Sequence, residues 1–161
     1  MSNTKFAVVY DAFLSKITDD MYMELTIDDT RAMLEELLVS ALHWFEFPRV
    51  NIFDYDKEIR EFNINLSNEE INIIATYMIV EWVGQQLASV ENVRMKYSGS
   101  DFKFTSQANH LAKLQNLKEK YVAEGFHLQR LYKRRKADKN GIMRSTISSI
   151  MYPDTEYYNG N

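Results

Sequence analysis

The sequence contains no cysteine and has only 2 prolines and 5 glycines among its 161 residues. The absence of cysteine excludes a disulfide framework, a thiolate nucleophile and a cysteine-based zinc site. The small numbers of proline and glycine favour long helices over a turn-rich sandwich or barrel. A chain of this length fits one domain with a hydrophobic core better than it fits two domains.

Long hydrophobic runs are also lacking. The longest apolar stretch, from Ile71 to Val83, is interrupted by Glu81 and is shorter than the roughly 20 residues of a membrane-spanning helix. The first residues contain no hydrophobic region of a signal peptide. We therefore expect a chain that is made in the cytoplasm and has no membrane partner. Its 45% hydrophobic and 26% charged residues are ordinary for a folded domain.

Charge is distributed unevenly along the chain. Residues 1–91 contain 17 acidic and 6 basic side chains, whereas residues 92–161 contain 6 acidic and 13 basic ones. The basic half could bind phosphate, or it could meet the acidic half of a neighbouring subunit. A third interpretation is that the two halves pack together within one monomer.

Four stretches have the apolar spacing of helices, and they cover residues 6–17, 26–45, 67–90 and about 106–136. Ser67 and Glu70 form a capping box at the start of the third, and Pro48 is expected to end the second. The fourth helical stretch could be bent at Gly125. The third stretch is apolar nearly all round, which fits either a subunit interface or the central helix of a bundle.

Two segments are predicted to be non-helical. Residues 51–53 and 62–66 alternate in polarity on either side of a charged turn at 54–61, which predicts a small β-hairpin or loop insertion near 51–65. Counted from Asp54, the sixth and twelfth positions lack the glycine and glutamate of a calcium-binding loop, so we interpret the turn as a solvated acidic loop. Beyond residue 137 the sequence is rich in β-branched and hydroxyl-bearing residues and predicts no further helix.

The predicted fold class is therefore mainly α, a bundle of about four helices with the small insertion and an extended C-terminal arm. Residues 1–137 form the helical domain and residues 138–161 form the arm, which is either disordered alone or ordered on a partner. The arm's candidate partner-binding side chains are its apolar and aromatic residues: Ile142, Ile147, Ile150, Met151, Tyr152, Tyr157 and Tyr158.

No motif in the sequence indicates catalysis. There is no phosphate-binding glycine loop and no nucleophile elbow, and adjacent acidic pairs such as Glu69 and Glu70 point to different sides of a helix. The histidines lie on separate stretches without metal-ligand spacing, at His43, His110 and His127. We predict no catalytic, cofactor-binding or metal-binding residue, no cofactor and no enzymatic activity.

One cluster of cations is the only indication of nucleic-acid binding. It consists of Arg130, Lys133, Arg134, Arg135 and Lys136. Three interpretations stay open: a solvated helix end, a protein-facing patch and a DNA-facing patch in which Phe126 and Tyr132 stack on bases. The sequence pI of about 5.4 argues against a free DNA-binding protein.

The most specific stretch of the sequence is RMKYSGSDFKFTSQANHL, over Arg94–Leu111. It occurs together with Tyr10–Leu14, Thr18–Asp20, Phe47–Arg49, Leu66–Ile71 and Glu81–Trp82. With these segments, residues 6–136 resemble a family of small virion-associated proteins of tailed phages and prophages, similar to head–tail connector (adaptor, or head-completion) proteins.

The resemblance implies a homo-oligomeric ring of about twelve subunits (a dodecamer) in the neck of the virion, made in the host cytoplasm. The ring would dock under the portal protein through the C-terminal segment, contact other neck or tail-completion proteins, and let DNA pass without sequence-specific binding. The alternatives are a tail-completion or stopper protein of the neck, a nucleic-acid-binding helical regulator, and an enzyme of unknown type.

Overall fold

The computed structural model describes residues 3–17, 27–96, 104–138, 140 and 142–147. Within these residues it contains four helices and two antiparallel strand pairs, and the predicted mainly α fold is confirmed. The helices are α1 (Phe6–Leu14), α2 (Ile27–Leu42), α3 (Asn68–Lys96) and α4 (Phe104–Arg134). The strands are β1 (Tyr55–Asp56), β2 (Glu61–Phe62), β3 (Arg135–Ala137) and β4 (Met143–Ser145).

Helix α3 begins at the predicted capping box. The Glu70 carboxylate accepts hydrogen bonds from the Ser67 amide at 2.7 Å and the Ser67 hydroxyl at 2.8 Å, and the Glu70 amide reaches the Ser67 oxygen at 3.3 Å. These bonds satisfy donors that a helix start otherwise leaves unpaired. Thr26, where the second predicted helical stretch begins, lies outside the described residues.

Helix α3 is the centre of the bundle and packs against α1, α2 and α4. Residues 73–80 are all buried within the monomer, as are Trp82 and Val83. This burial explains why the segment is apolar nearly all round. The interpretation of this apolar character as a subunit interface is therefore wrong for residues 73–83, and the alternative of a central bundle helix is confirmed.

The insertion after α2 is a β-hairpin, but its strands lie closer to the turn than predicted. Tyr55 pairs with Phe62 and Asp56 with Glu61, and Arg60 adopts a left-handed backbone with φ 54°. Asp56 accepts the amides of Glu58 and Ile59, which closes the turn. The predicted acidic loop, residues 54–61, thus contains β1 and the first residue of β2.

The chain before α1 supports this hairpin. The Phe62 amide donates to the Thr4 carbonyl at 2.8 Å, and the Phe6 amide donates to the Arg60 carbonyl at 2.9 Å. The Phe6 ring packs on that of Phe62, with centroids 5.0 Å apart. A two-stranded hairpin is marginal by itself, and these contacts attach it to the core.

Helix boundaries differ from the prediction at the C-terminal end of every helix, and α3 continues to Lys96 rather than to residue 90. Helix α1 ends at Leu14 rather than Ile17, and α2 ends at Leu42, so Pro48 does not terminate it. The amides of residues 43–45 instead bond to carbonyls three residues earlier, which tightens the chain into a turn. Helix α4 continues through Gly125 and ends at Arg134, two residues before the predicted end.

The segment after α4 contains a second strand pair, which was not predicted. Strand β4 pairs with β3, so that Arg135 lies opposite Ser145 and Ala137 lies opposite Met143. The Asp138 carboxylate closes the turn between them by accepting the amides of Asn140 and Ile142, each at 2.9 Å. The same carboxylate pairs with Arg144 at 3.1 Å. Residues 148–161 of the predicted arm lie outside the described residues.

Candidate partner-binding surface at the end of helix α4

The last turns of α4 are held by a buried polar network. Gln129 accepts a hydrogen bond from the Glu46 amide at 2.9 Å, and its own amide group donates to the Trp44 carbonyl at 2.9 Å and the Tyr77 hydroxyl at 2.6 Å. A buried amide that lost these partners would destabilise the fold. Gln129 therefore fixes α4 against both α3 and the turn that follows α2.

Tyr132 provides a second attachment one helical turn further on. Its hydroxyl donates to Glu70 at 2.5 Å and accepts the Arg49 amide at 2.9 Å. Burial raises the pKa of Tyr132, and the hydrogen bond to Glu70 raises it further because it stabilises the neutral phenol. The hydroxyl therefore remains a donor across the physiological pH range and holds the α3 capping box against α4.

Arg49 covers the C-terminal end of α4. Its guanidinium lies 3.8 Å from the centroid of the Tyr132 ring and donates to the carbonyl oxygens of Tyr132 and Arg135. A cation at this end complements the helix dipole and satisfies carbonyls that the helix leaves unpaired. The direction in which the chain leaves α4 is thereby fixed.

The close approach of α3 and α4 depends on Gly125. A Cβ atom at this position would lie 2.5 Å from Cζ of Tyr77 and 2.8 Å from its hydroxyl oxygen. The Tyr77 ring is buried and stacks on Trp44, with centroids 5.5 Å apart and an angle of 12° between the planes. Glycine is therefore required here for packing rather than for a bend.

Next to this network, α4 and the turn after α2 form an exposed aromatic and cationic surface. We call it the Phe47/Phe126 patch, and it comprises Phe47, Phe126, Arg130 and Lys133. Phe47 is 59% exposed and Phe126 42% exposed. Lys133 Nζ lies 3.5 Å from the Phe47 ring centroid and 3.9 Å from the Glu46 carboxylate. Residues 126, 130 and 133 share one helix face because they are four and three positions apart.

The C-terminal hairpin returns to this patch. The Thr146 hydroxyl donates to the Lys133 carbonyl at 3.2 Å. The hairpin also exposes apolar side chains, with Ile142 51% and Ile147 56% accessible, and Met143 is exposed beside them. A folded hairpin that leaves three large apolar side chains in solvent has the composition of an interaction surface.

The predicted basic cluster does not form one uniform patch. Arg135 is paired with Glu69 at 2.7 Å, and Lys133 is engaged by Glu46 and Phe47. The side chains of Arg130, Arg134 and Lys136 are exposed. Tyr132 is buried, so the prediction that it could stack on bases is wrong, whereas Phe126 is accessible.

The predicted arm residues can be followed only in part. Ile142 and Ile147 lie on the exposed surface of the second hairpin, as a partner-binding role requires. The others lie outside the described residues: Ile150, Met151, Tyr152, Tyr157 and Tyr158. No structural role was predicted for Gln129, and Phe47 and Arg49 were named only as part of the resemblance. Gln129 and Arg49 gave no local signal, because each acts on residues more than 80 positions away.

Among the residues that the structure describes, no group of three or more histidine, aspartate or glutamate side chains is placed to hold a metal ion. In the same part of the chain, no helix is long and apolar enough to cross a membrane. Comparisons with protein-family models, with curated proteins and with solved structures give no significant match for this chain.

Proposed function

We propose that this chain is a structural subunit of a phage head–tail connector. In this proposal it forms a ring beneath the portal protein, extends the DNA channel and joins the capsid to the tail. The class of assembly comes from the resemblance of residues 6–136 to connector proteins. The proposed location is the virion neck, after synthesis in the host cytoplasm.

One structural observation supports the proposal most directly. Hydrogen bonds of Arg49 and Thr146 attach the second hairpin to the end of α4, yet Ile142, Met143 and Ile147 are exposed. Burial of one such side chain in an interface would contribute about 1.5–3 kcal/mol before the losses of association. The hairpin is thus a preorganised apolar element from which the rest of the arm could extend onto a portal.

Charge contributes less to the proposal than the sequence suggested. Lys133–Glu46 and Arg135–Glu69 both join the basic half of the chain to its acidic half within the monomer. Part of the charge asymmetry is therefore used intramolecularly, as the third interpretation of the sequence expected. Contacts between neighbouring subunits remain part of the proposal. The residues of these two ion pairs do not support such contacts, because they are paired within the monomer.

The test is binding to the portal protein encoded by the same phage or prophage. Purified portal rings are incubated with the full chain and imaged by electron microscopy, which also gives the subunit number and the position of the chain. We expect an added ring on the tail-facing side of the portal. The double substitution Ile142→Ser and Ile147→Ser should abolish binding without unfolding the chain, because both side chains are exposed.

Val8→Ser provides the control, since Val8 is also exposed but lies on α1. Equal binding by both variants would contradict the role of the hairpin. A chain found further down the neck, separated from the portal, would favour the tail-completion or stopper alternative. Salt-sensitive binding to duplex DNA without any portal binding would favour the nucleic-acid alternative.

A further inference from the structure

The Phe47/Phe126 patch combines features that a docking segment needs. Two aromatic rings are exposed here: Phe47 lies under the Lys133 ammonium, and Phe126 shares one helix face with Arg130 and Lys133. The buried Gln129 and Tyr132 attach this part of the helix to the core. A single exposed aromatic residue is ordinary, but two beside cations would suit an occupant that carries both apolar rings and negative charge.

The C-terminal segment of the chain has this complementary composition. Residues 148–161 contain two acidic residues, Asp154 and Glu156, and no lysine or arginine. They also contain five large apolar or aromatic side chains: Ile150, Met151, Tyr152, Tyr157 and Tyr158. The segment therefore offers opposite charge to the exposed Arg130, whereas Lys133 is already paired with Glu46. It also offers rings that can pack on Phe47 and Phe126.

The last described residues before this segment lie beside the end of α4. Thr146 is bonded to the carbonyl of Lys133, which is itself a patch residue. Phe126 lies seven positions before Lys133, which corresponds to about 10 Å along the helix axis. Four to six extended residues span about 13–20 Å, so the chain between Thr146 and Ile150–Tyr152 is long enough to cover the distance to Phe126.

We propose that residues 150–158 dock onto the Phe47/Phe126 patch of their own chain. Docking within the chain is favoured over docking onto a second copy, because a short tether raises the local concentration of the segment to the millimolar range. The proposal does not depend on the connector assignment. Where the same segment also binds a partner, the partner has to displace it from the patch, which lowers the apparent affinity of that partner.

The test measures the mobility of the segment by NMR relaxation in the full chain. We expect order parameters near those of rigid backbone, about 0.85, for the amides of residues 150–158, and values below about 0.6 would overturn the proposal. Arg130→Glu and Phe126→Ser should each lower these order parameters. Both side chains are exposed, so neither substitution should disturb the fold.

Lys113→Glu is the matched control, since Lys113 is an exposed cation on α4 about 25 Å from Arg130. It should leave the segment ordered, and an effect equal to that of Arg130→Glu would overturn the assignment to this patch.

A spin-label experiment distinguishes docking within one chain from docking between chains. The lack of cysteine allows a unique spin label at Ala123→Cys. The NMR signals of residues 150–158 should be broadened when the spin label and the isotope label are in the same chain. Signal broadening that is seen only in a mixture of spin-labelled chains with separate isotope-labelled chains would overturn docking within one chain.

Discussion

Gly84 and Gly125, the two helical glycines in the described part of the chain, should respond in opposite directions to replacement by alanine. Replacing glycine by alanine inside a helix stabilises it by about 0.8–1.0 kcal/mol when the new methyl group has room. A Cβ atom on Gly84 would meet only the flexible end of Lys118, at 3.4 Å from Nζ. Gly84→Ala should therefore raise the free energy of unfolding by about 0.5–1 kcal/mol.

At Gly125 the same methyl group would lie 2.5 Å from Cζ of Tyr77. The ring cannot move freely, because it stacks on Trp44 and its hydroxyl accepts a bond from Gln129 at 2.6 Å. Overpacking costs about 1–3 kcal/mol, and loss of the buried hydrogen bond costs about another 1–3 kcal/mol. After the gain in helix propensity, Gly125→Ala should lower the free energy of unfolding by about 1–5 kcal/mol.

Urea unfolding followed by circular dichroism measures both variants, with the slope of the transition checked for two-state behaviour. Tyr77→Leu adds a double-mutant cycle, because a smaller side chain leaves room for the methyl group. In that background Gly125→Ala should lose most of its destabilising effect. Equal stabilisation by Gly84→Ala and Gly125→Ala in the original chain would refute the close contact between Tyr77 and α4.

Three further predictions concern the polar groups. Ser67→Ala should lower the free energy of unfolding by about 0.5–2 kcal/mol in urea titrations, whereas Ser67→Thr, which retains the capping hydroxyl, should lose less. Tyr10 has a buried hydroxyl without a hydrogen-bond partner among the described residues, and burial raises its pKa to about 12. Tyr10→Phe should therefore leave the free energy of unfolding unchanged or raise it by up to about 1 kcal/mol in the same assay. A decrease of more than about 1 kcal/mol would show that the hydroxyl has a hydrogen-bond partner. Hydrogen bonds from Ile142 and Asn140, together with Arg144, lower the pKa of Asp138, so its support of the second hairpin should be complete above the ordinary value of 3.8 and lost as the pH falls through the lowered pKa. An NMR titration of the Ile142 amide should show a midpoint below 3.8, and Asp138→Asn should remove it.

The parts of the fold that were predicted correctly depend on local chemistry. The capping box of α3 could be recognised from Ser67 and Glu70, because the two residues satisfy one another within a single turn. The apolar spacing of α2 and α4 likewise follows from the helical repeat. Local patterns also set the position of the first hairpin, although the strands themselves were displaced into the charged turn.

The errors depend on contacts between distant residues. Pro48 did not end α2, because the turn at residues 43–49 is set by Gln129 and Tyr132 of α4. The second hairpin was not predicted, because its turn is closed by the Asp138 carboxylate. This carboxylate accepts the amides of Asn140 and Ile142, and the sequence pattern alone does not indicate these hydrogen bonds. Arg49 gave no indication that it covers the end of a helix 80 residues further along the chain.

The candidate surface and the core of the protein are built from one stretch of α4. Gly125, Gln129 and Tyr132 recur at four- and three-residue spacing and face the buried network. Each neighbour one position later, at residues 126, 130 and 133, is rotated by about 100° around the helix axis and lies on the exposed patch. Because the inner residues are fixed by stacking and hydrogen bonds, the outer ones are presented without further ordering, which lowers the entropic cost of binding. Substitutions on the outer face should therefore change binding while leaving stability nearly unaltered, and those on the inner face should change both.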